Sequence, residues 1–273
     1  MKTGIIIPCY NEEKRLNAIA FLEFIKKEDN YHLCFVNDGS KDNTIDILKD
    51  IQSQAPQKVS VIDIKKNSGK AAAVKAGARY LHSRGDIKFI GFIDADLSTD
   101  FEDFDGLLKT LKTNKKLSFV FGSRAKNTSN NINKNGMRRV ISKFINVLIV
   151  FILGLSIQDT QCGAKVFKAE LVPVIFNKNF FSRWLFDVEM FIKMKKHYGK
   201  EKTVSKIYEQ PLKRWVHIED SKLGLKDSIK IPYQLLSIWF NYNILPFFQH
   251  SFSNQTNEPS VGIYSKTTSA LIT

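Results

Sequence analysis

Two carboxylates, Asp94 and Asp96, stand at i and i+2 directly after the apolar run Phe89-Ile90-Gly91-Phe92-Ile93. At that spacing both can reach one divalent cation and the nucleotide it carries, and their hard oxygens suit Mg2+ or Mn2+. An acidic pair also closes strands as a solvated cap, so its meaning depends on its neighbours. Asn37-Asp38-Gly39-Ser40, with Asp42 and Thr44, follows a second apolar run. There Asp38 can accept from a nucleobase or ribose and Gly39 permits a tight turn, although a plain strand-to-helix turn would look the same. Pro8-Cys9-Tyr10-Asn11-Glu12 offers a ring to lie against a base, a rigid turn and a carboxylate, or simply a cap for the next helix. Asn67-Ser68-Gly69-Lys70 could touch a phosphate through Gly69 and Lys70 but lacks the Walker A spacing, which argues against nucleoside triphosphate hydrolysis.

Positioning these residues falls to the elements before them. Short β-like runs at Gly4 to Ile7, His32 to Val36, Lys58 to Ile62 and Lys88 to Ile93 alternate with helical patterns. The helices are expected near Glu12 to Lys27, Thr44 to Gln54 and Ala71 to His82. That alternation predicts an α/β domain with a mostly parallel central sheet built from βαβ units. Ligands of such sheets bind outside the carboxyl ends of the strands, where the motifs fall. Ser118 to Arg124 adds a further strand ending in an arginine.

Four motifs in order on one sheet edge resemble family 2 glycosyltransferases of the GT-A fold. Gln158-Asp159-Thr160-Gln161-Cys162-Gly163-Ala164-Lys165 and Arg183-Trp184-Leu185-Phe186-Asp187-Val188-Glu189 narrow the resemblance to dolichyl-phosphate β-glucosyltransferases, with the dolichyl-phosphate mannose synthases a looser match. The resemblance spans about Thr3 to Leu225 and implies residue roles. Pro8, Tyr10, Glu12 and Asp38, with Lys70, would hold a nucleotide-sugar, and Asp96, with Asp94 beside it, a Mg2+ or Mn2+ ion. Ser98 stands where the mannose synthases carry a metal-ligating glutamine. Asp187 and Glu189 would face the sugar, with structural salt bridges as rivals. Arg124 of Gly122-Ser123-Arg124, and Arg138 with Arg139 on the next helix, match arginines that bind the acceptor phosphate in the mannose synthases. Trp215 to Leu223 looks like the loop that closes over the diphosphate, with Lys222 and, less so, His217 facing it. The implied reaction moves a hexose, glucose foremost, from a UDP-sugar to a polyprenyl phosphate with inversion, carried by Asp96, Asp187, Arg124 and Arg138.

The 273 residues suit one sizeable α/β domain plus an appendage, and the formal net charge of +14 calls for an anionic partner. Acidic residues at every strand end would repel a nucleic-acid backbone, so the anion expected is a nucleotide or an anionic leaflet. Cys9, Cys34 and Cys162 lack metal-site spacing and suit small core positions in a reducing compartment. The apolar start Gly4 to Pro8 is too short for a signal peptide, so residence at the cytoplasmic face of a membrane, peripheral or monotopic, is expected. The expected division is a catalytic domain over 1–225 that includes a basic amphipathic segment at 137–157, an interfacial helical segment at 226–249 and a disordered tail at 250–273. The alternative for both apolar segments is a pair of core helices in a soluble protein. A soluble transferase extending an envelope glycan and an inactive scaffold of the same fold are the alternatives.

Overall fold

Strand β2 shows why the sheet forms where the apolar runs lie. Tyr31–Asp38 is buried at every position, as a strand covered by helices on both faces requires. In the computed structural model, residues 1–124, 136–214 and 225–245 are described, the side chains of 136–144 and 225–229 excepted. Strands β1 (Lys2–Cys9), β2, β3 (Val59–Ile64) and β4 (Ile87–Phe92) alternate with helices α1 (Ala18–Lys27), α2 (Thr44–Gln54) and α3 (Lys70–Ser83). Helix α4 (Phe101–Thr113), β5 (Phe119–Ser123), α5 (Gly136–Leu153), β6 (Lys165–Lys168) and α6 (Val172–Ile175) follow. Helices α7 (Phe186–Tyr198) and α8 (Lys200–Lys206), strand β7 (Ile207–Pro211) and helix α9 (Leu225–Asn243) end the described chain.

The sheet order is β3-β2-β1-β4-β6-β5-β7. Strands β1 to β4 pair in parallel, β5 pairs in parallel with β7, and β6 runs antiparallel to both β4 and β5. One reversed strand leaves the carboxyl ends of β1, β2, β4 and β5 on the same edge. Contacts divide the chain into a main unit, Met1–Ile238, and a C-terminal unit, Trp239–Thr273.

Two features depart from the sequence pattern. Helix α1 starts at Ala18 rather than near Glu12, because residues 11–16 are taken up by turns, Asn11 adopts φ +50°, and Asn17 caps the helix by accepting from Ala20 N–H at 3.1 Å. Strand β6 is only four residues, Lys-Val-Phe-Lys, too short for periodicity to reveal.

At Gly91, β4 packs against both β6 and α4. A Cβ there would overlap the Lys165 carbonyl oxygen and lie 2.6 Å from the Phe104 ring. Since Phe104 is wholly buried and the backbone cannot yield, Gly91→Ala is expected to cost about 2–3 kcal/mol of folding free energy, read as a lowered denaturation midpoint with an unchanged m-value.

Candidate active site

The turns after β1 and β2 are knitted into one edge before any ligand arrives. Asn11 N–H donates to Ser40 Oγ at 3.0 Å, and Lys41 N–H donates to Asn11 Oδ1 at 2.9 Å. Glu12 N–H donates to Thr44 Oγ1 at 2.8 Å, while Asn43 donates through N–H and Nδ2 to the Glu13 carboxylate. Pro8 and Tyr10 stand half-buried on this edge, and Glu12 is buried beneath it with its Oε2 3.6 Å from Arg15 Nε.

Asp38, expected on the nucleotide, turns inward. Its two oxygens accept from the backbone N–H of Ser68 and Gly69 at 2.8 and 2.7 Å, and 2% of the residue is exposed. Asp38 therefore fastens the loop that delivers Lys70 to the first position of α3. Gly69 serves that loop at φ +96°, a value that L side chains rarely adopt, and its α-carbon packs against Arg183.

Asp94 and Asp96 come off the end of β4 as expected, and each carboxylate meets a base. Lys70 Nζ lies 2.5 Å from Asp94 Oδ1, and Arg15 Nη2 donates to Asp96 Oδ2. Asp96 Oδ1 accepts from Ser98 N–H at 3.0 Å, and between them Leu97 holds φ +53°. A bulky residue in the left-handed region is strain that the surrounding contacts must sustain, and such strain concentrates at functional sites. Behind Asp94, a Cβ on Gly163 would overlap the carboxylate, so only glycine lets the Cys162 to Ala164 backbone approach. A cleft of about 330 Å³ opens beside Asp96, lined by Asn17, Leu97, Ser98, Asp100 and Arg214.

Two further pairs continue the alternation. Arg124 donates through Nε and Nη2 to Asp159 at 2.7 and 2.8 Å, and its backbone N–H adds a third bond to the same carboxylate at 3.0 Å. Asp159 is placed in turn by Glu209 of β7, which accepts from the N–H of Gln158 and Asp159 at 2.9 and 2.8 Å. Lys165 has 0% of its surface exposed; its Nζ lies 2.8 Å from Asp187 Oδ1, donates to Cys162 O, and sits 5.4 Å from the Phe92 ring centre. Lys165, Asp159, Glu209 and Arg15 are absent from the site residues expected from sequence; Asp159 and Lys165 fall in the segment that carries the family resemblance, whereas contacts between distant segments reveal Glu209 and Arg15.

The electrostatics follow from burial set against these partners. Burial opposes charge on Asp94, but Lys70, with Lys165 and Arg124, holds its carboxyl below the usual range. Burial likewise opposes charge on Lys70, yet Asp94, Asp187 and Asp96 hold its ammonium above the usual range. Asp159 is kept low by Arg124 against its own burial, and burial raises Asp187 despite Lys165 and Lys70. Asp187 is therefore the carboxylate of this group least committed to its charge.

Glu189, expected at the sugar, is fully buried and accepts from the backbone N–H of Phe181 and Ser182 at 3.0 and 2.8 Å. Ser182 Oγ then accepts from Leu185 N–H at 2.8 Å, so Glu189 shapes the Phe181 to Leu185 loop that packs on Gly69. The backbones of Arg138 and Arg139 lie in α5, with their side chains outside the described residues. His217 and Lys222 lie outside the described residues altogether.

Asp94 and Asp96 present hard carboxylate oxygens at a strand end, a donor chemistry that fits Mg2+ or Mn2+. Among the described residues no group of three or more His, Cys, Asp or Glu side chains gathers to complete a protein-only shell. The donor set therefore suits an ion that shares its ligands with a substrate, as Mg2+ commonly does.

Comparison with known proteins places this geometry. The model for glycosyl transferase family 2 matches residues 4–176. A dolichyl-phosphate beta-glucosyltransferase of Trichomonas vaginalis is 34% identical over 248 residues, covering 86% of this chain and 70% of that protein. The enzymes of that name from Saccharomyces cerevisiae and Homo sapiens are 34% and 32% identical, covering 88% and 81% of this chain and 74% and 69% of their own lengths. Among solved structures, glucosyl-3-phosphoglycerate synthase from Mycobacterium tuberculosis, in complex with Mn2+, UDP-glucose and phosphoglyceric acid, superposes with a TM-score of 0.63 at 16% identity. That superposition covers 88% of this chain and 79% of the synthase, and it establishes the likeness of fold. With its seven-stranded, mostly parallel sheet and its paired acidic and basic groups on one edge, the chain belongs to glycosyl transferase family 2 and is a glycosyltransferase of the GT-A fold.

Proposed function

We propose that this glycosyltransferase moves glucose from UDP-glucose to a polyprenyl phosphate, with inversion at the anomeric carbon, at the cytoplasmic face of a membrane. One observation carries the reading: Asp94, Asp96, Asp159 and Asp187 each face a basic side chain within ion-pair distance. A hydroxyl acceptor would need a free general base, whereas a phosphate monoester is already largely ionised near neutral pH. Its oxygen can attack the anomeric carbon as the bond to the diphosphate oxygen breaks and the nucleoside diphosphate leaves with the electron pair. Positioning and charge neutralisation then become the protein's tasks.

Lys70, held by Asp94 at the head of α3, and the helix N-terminus beneath it supply positive potential on the donor side. Arg124, braced by Asp159, presents a guanidinium in fixed orientation on the acceptor side, and Arg138 and Arg139 on α5 are the further candidates for the lipid phosphate. Asp187, poised by Lys165, is the group proposed to meet sugar hydroxyls. Asp96 and Asp94 would hold Mg2+ or Mn2+, whose charge would stabilise the leaving diphosphate. On the nucleotide, Pro8, Tyr10 and Glu12 form the edge against which the base would lie, with Lys222 proposed to reach the diphosphate. Asp38 and Glu189 support the pocket through the loops they fasten.

Helix α5 supports the lipid side of the proposal. It buries Ile149, Ile152 and Leu153, yet leaves Val147 and Phe151 66% and 77% exposed, with Val150 beside them. An outward apolar ridge on a helix that begins with Arg138 and Arg139 suits insertion at an anionic lipid interface. Among the described residues no helix is long and apolar enough to cross a membrane.

The decisive assay supplies purified protein with Mg2+ or Mn2+, a short polyprenyl phosphate and a panel of UDP- and GDP-sugars, following nucleoside diphosphate release and lipid-linked product together. UDP-glucose alone should give product, and only with the lipid phosphate present; Asp96→Ala should abolish it. Donor hydrolysis without lipid product would overturn the acceptor assignment.

Arg124→Ala should raise KM for the polyprenyl phosphate at least tenfold while UDP affinity stays within about twofold, since one charge-assisted contact contributes about 1.5–3 kcal/mol. Equal losses in both would move Arg124 to the donor side. For the α5 ridge, Val147→Glu combined with Phe151→Glu should cut co-sedimentation with vesicles containing anionic lipid severalfold while turnover of a short soluble acceptor is kept. Unchanged sedimentation would remove α5 from the membrane contact.

A further inference from the structure

We infer that Arg15 is a built-in competitor for the metal-binding face of Asp96, so that a divalent cation binds strongly only when a diphosphate arrives with it. The inference rests on the proposed role of Asp96 as a metal ligand. Both Asp96 oxygens are occupied: Oδ1 accepts from Ser98 N–H at 3.0 Å, and Oδ2 accepts from Arg15 Nη2. The backbone bond is part of the turn at Leu97 and leaves the first oxygen poorly placed to be surrendered. A cation that uses Asp96 must therefore displace the guanidinium from the second.

A dication and a guanidinium in contact with one carboxylate oxygen repel each other at short range, in a site where Asp96 is only 16% exposed and screening is reduced. Displacement also leaves Arg15 with reduced compensation. The carboxylate lost is the one at hydrogen-bond distance, whereas the Glu12 carboxylate lies 3.6 Å from Arg15 Nε. A nucleoside diphosphate changes the balance twice, by adding oxygen ligands to the cation and by offering the released guanidinium a new acceptor. Metal and nucleotide affinities are thereby coupled, and by linkage each must strengthen the other by the same factor. Asp94 is not equivalent, because its base, Lys70, starts from the head of α3 rather than from the turn after β1.

The test is titration of Mn2+ followed by electron paramagnetic resonance of the free ion, with and without UDP, on the wild type, Arg15→Gln and Asp96→Asn. Arg15→Gln should bind Mn2+ alone about tenfold tighter, equivalent to 1.4 kcal/mol, and should show a correspondingly smaller enhancement by UDP. Asp96→Asn should lose most of the Mn2+ binding. If Asp96→Asn loses binding but Arg15→Gln is unchanged or weaker, the competitor role is overturned and the metal assignment stands. If Asp96→Asn binds Mn2+ as the wild type does, both are overturned. Should Arg15→Gln misfold by circular dichroism, Arg15→Met, which removes the charge but keeps an unbranched chain of similar length, decides the matter by the same comparison.

Discussion

A lysine with no exposed surface governs the arrangement of this site. Taking an ammonium out of water costs several kcal/mol unless carboxylates and carbonyls surround it, so Lys165 obliges Asp187 and the Cys162 carbonyl to stay where they are. Lys165 also begins β6, the strand that runs against both of its neighbours, and thereby fastens α7 to the middle of the sheet. The same ammonium helps hold Asp94 and Asp159 ionised. Removing one member of such a set leaves its partners buried and uncompensated, which makes the edge a unit rather than a collection of independent pairs.

The alternation of acid and base has a consequence for catalysis. The proposed reaction would bring two phosphorylated ligands to one site and so calls for positive charge, but positive charge alone would repel itself in a half-buried cleft. Interleaving carboxylates solves this in the free protein: Lys70 sits against Asp94, Arg15 against Asp96 and Arg124 against Asp159. Each base is held in a defined orientation before a phosphate arrives, so less reorganisation remains for the chemical step. The support extends behind the cleft, where Glu209 places Asp159, Glu189 fixes the Phe181 to Leu185 loop and Asp38 fixes the loop before Lys70.

Much of the fold was legible because it depends on local pattern. Apolar runs of strand length alternating with helical periodicity identify β1 to β4 and α2 and α3 to within about two residues at each end, and the rule that ligands gather at strand ends brings Asp94, Asp96 and the Tyr10 to Glu12 turn to one edge. What was not legible depends on partners far away in sequence. Asp38 and Glu189 carry the residue type of ligand-binding carboxylates, yet both accept from backbone N–H groups of loops 30 and 7–8 residues away. Arg15 reads as one more basic residue in a helix, and only the turn at Asn11 swings it 81 residues along the chain to Asp96. Strand β6 is shorter than any periodicity can register.

Helix α5 links the chemistry to the place where it would occur. It follows β5, whose last residue precedes Arg124, and it carries Arg138 and Arg139 in its first turns before the ridge of Val147, Val150 and Phe151. Its other face is anchored through Ile149, Ile152 and Leu153, and Lys195 of α7 donates to the Leu153 carbonyl at 2.6 Å. The helix is therefore part of the folded unit rather than a detachable anchor. A lipid phosphate delivered along such a helix would meet its charge-bearing residues at one end while its chain stayed with the apolar ridge. For the proposed membrane-bound acceptor, that geometry would keep the polyprenyl chain out of the nucleotide cleft and would account for apolar side chains facing outward on an element whose inner face is already satisfied.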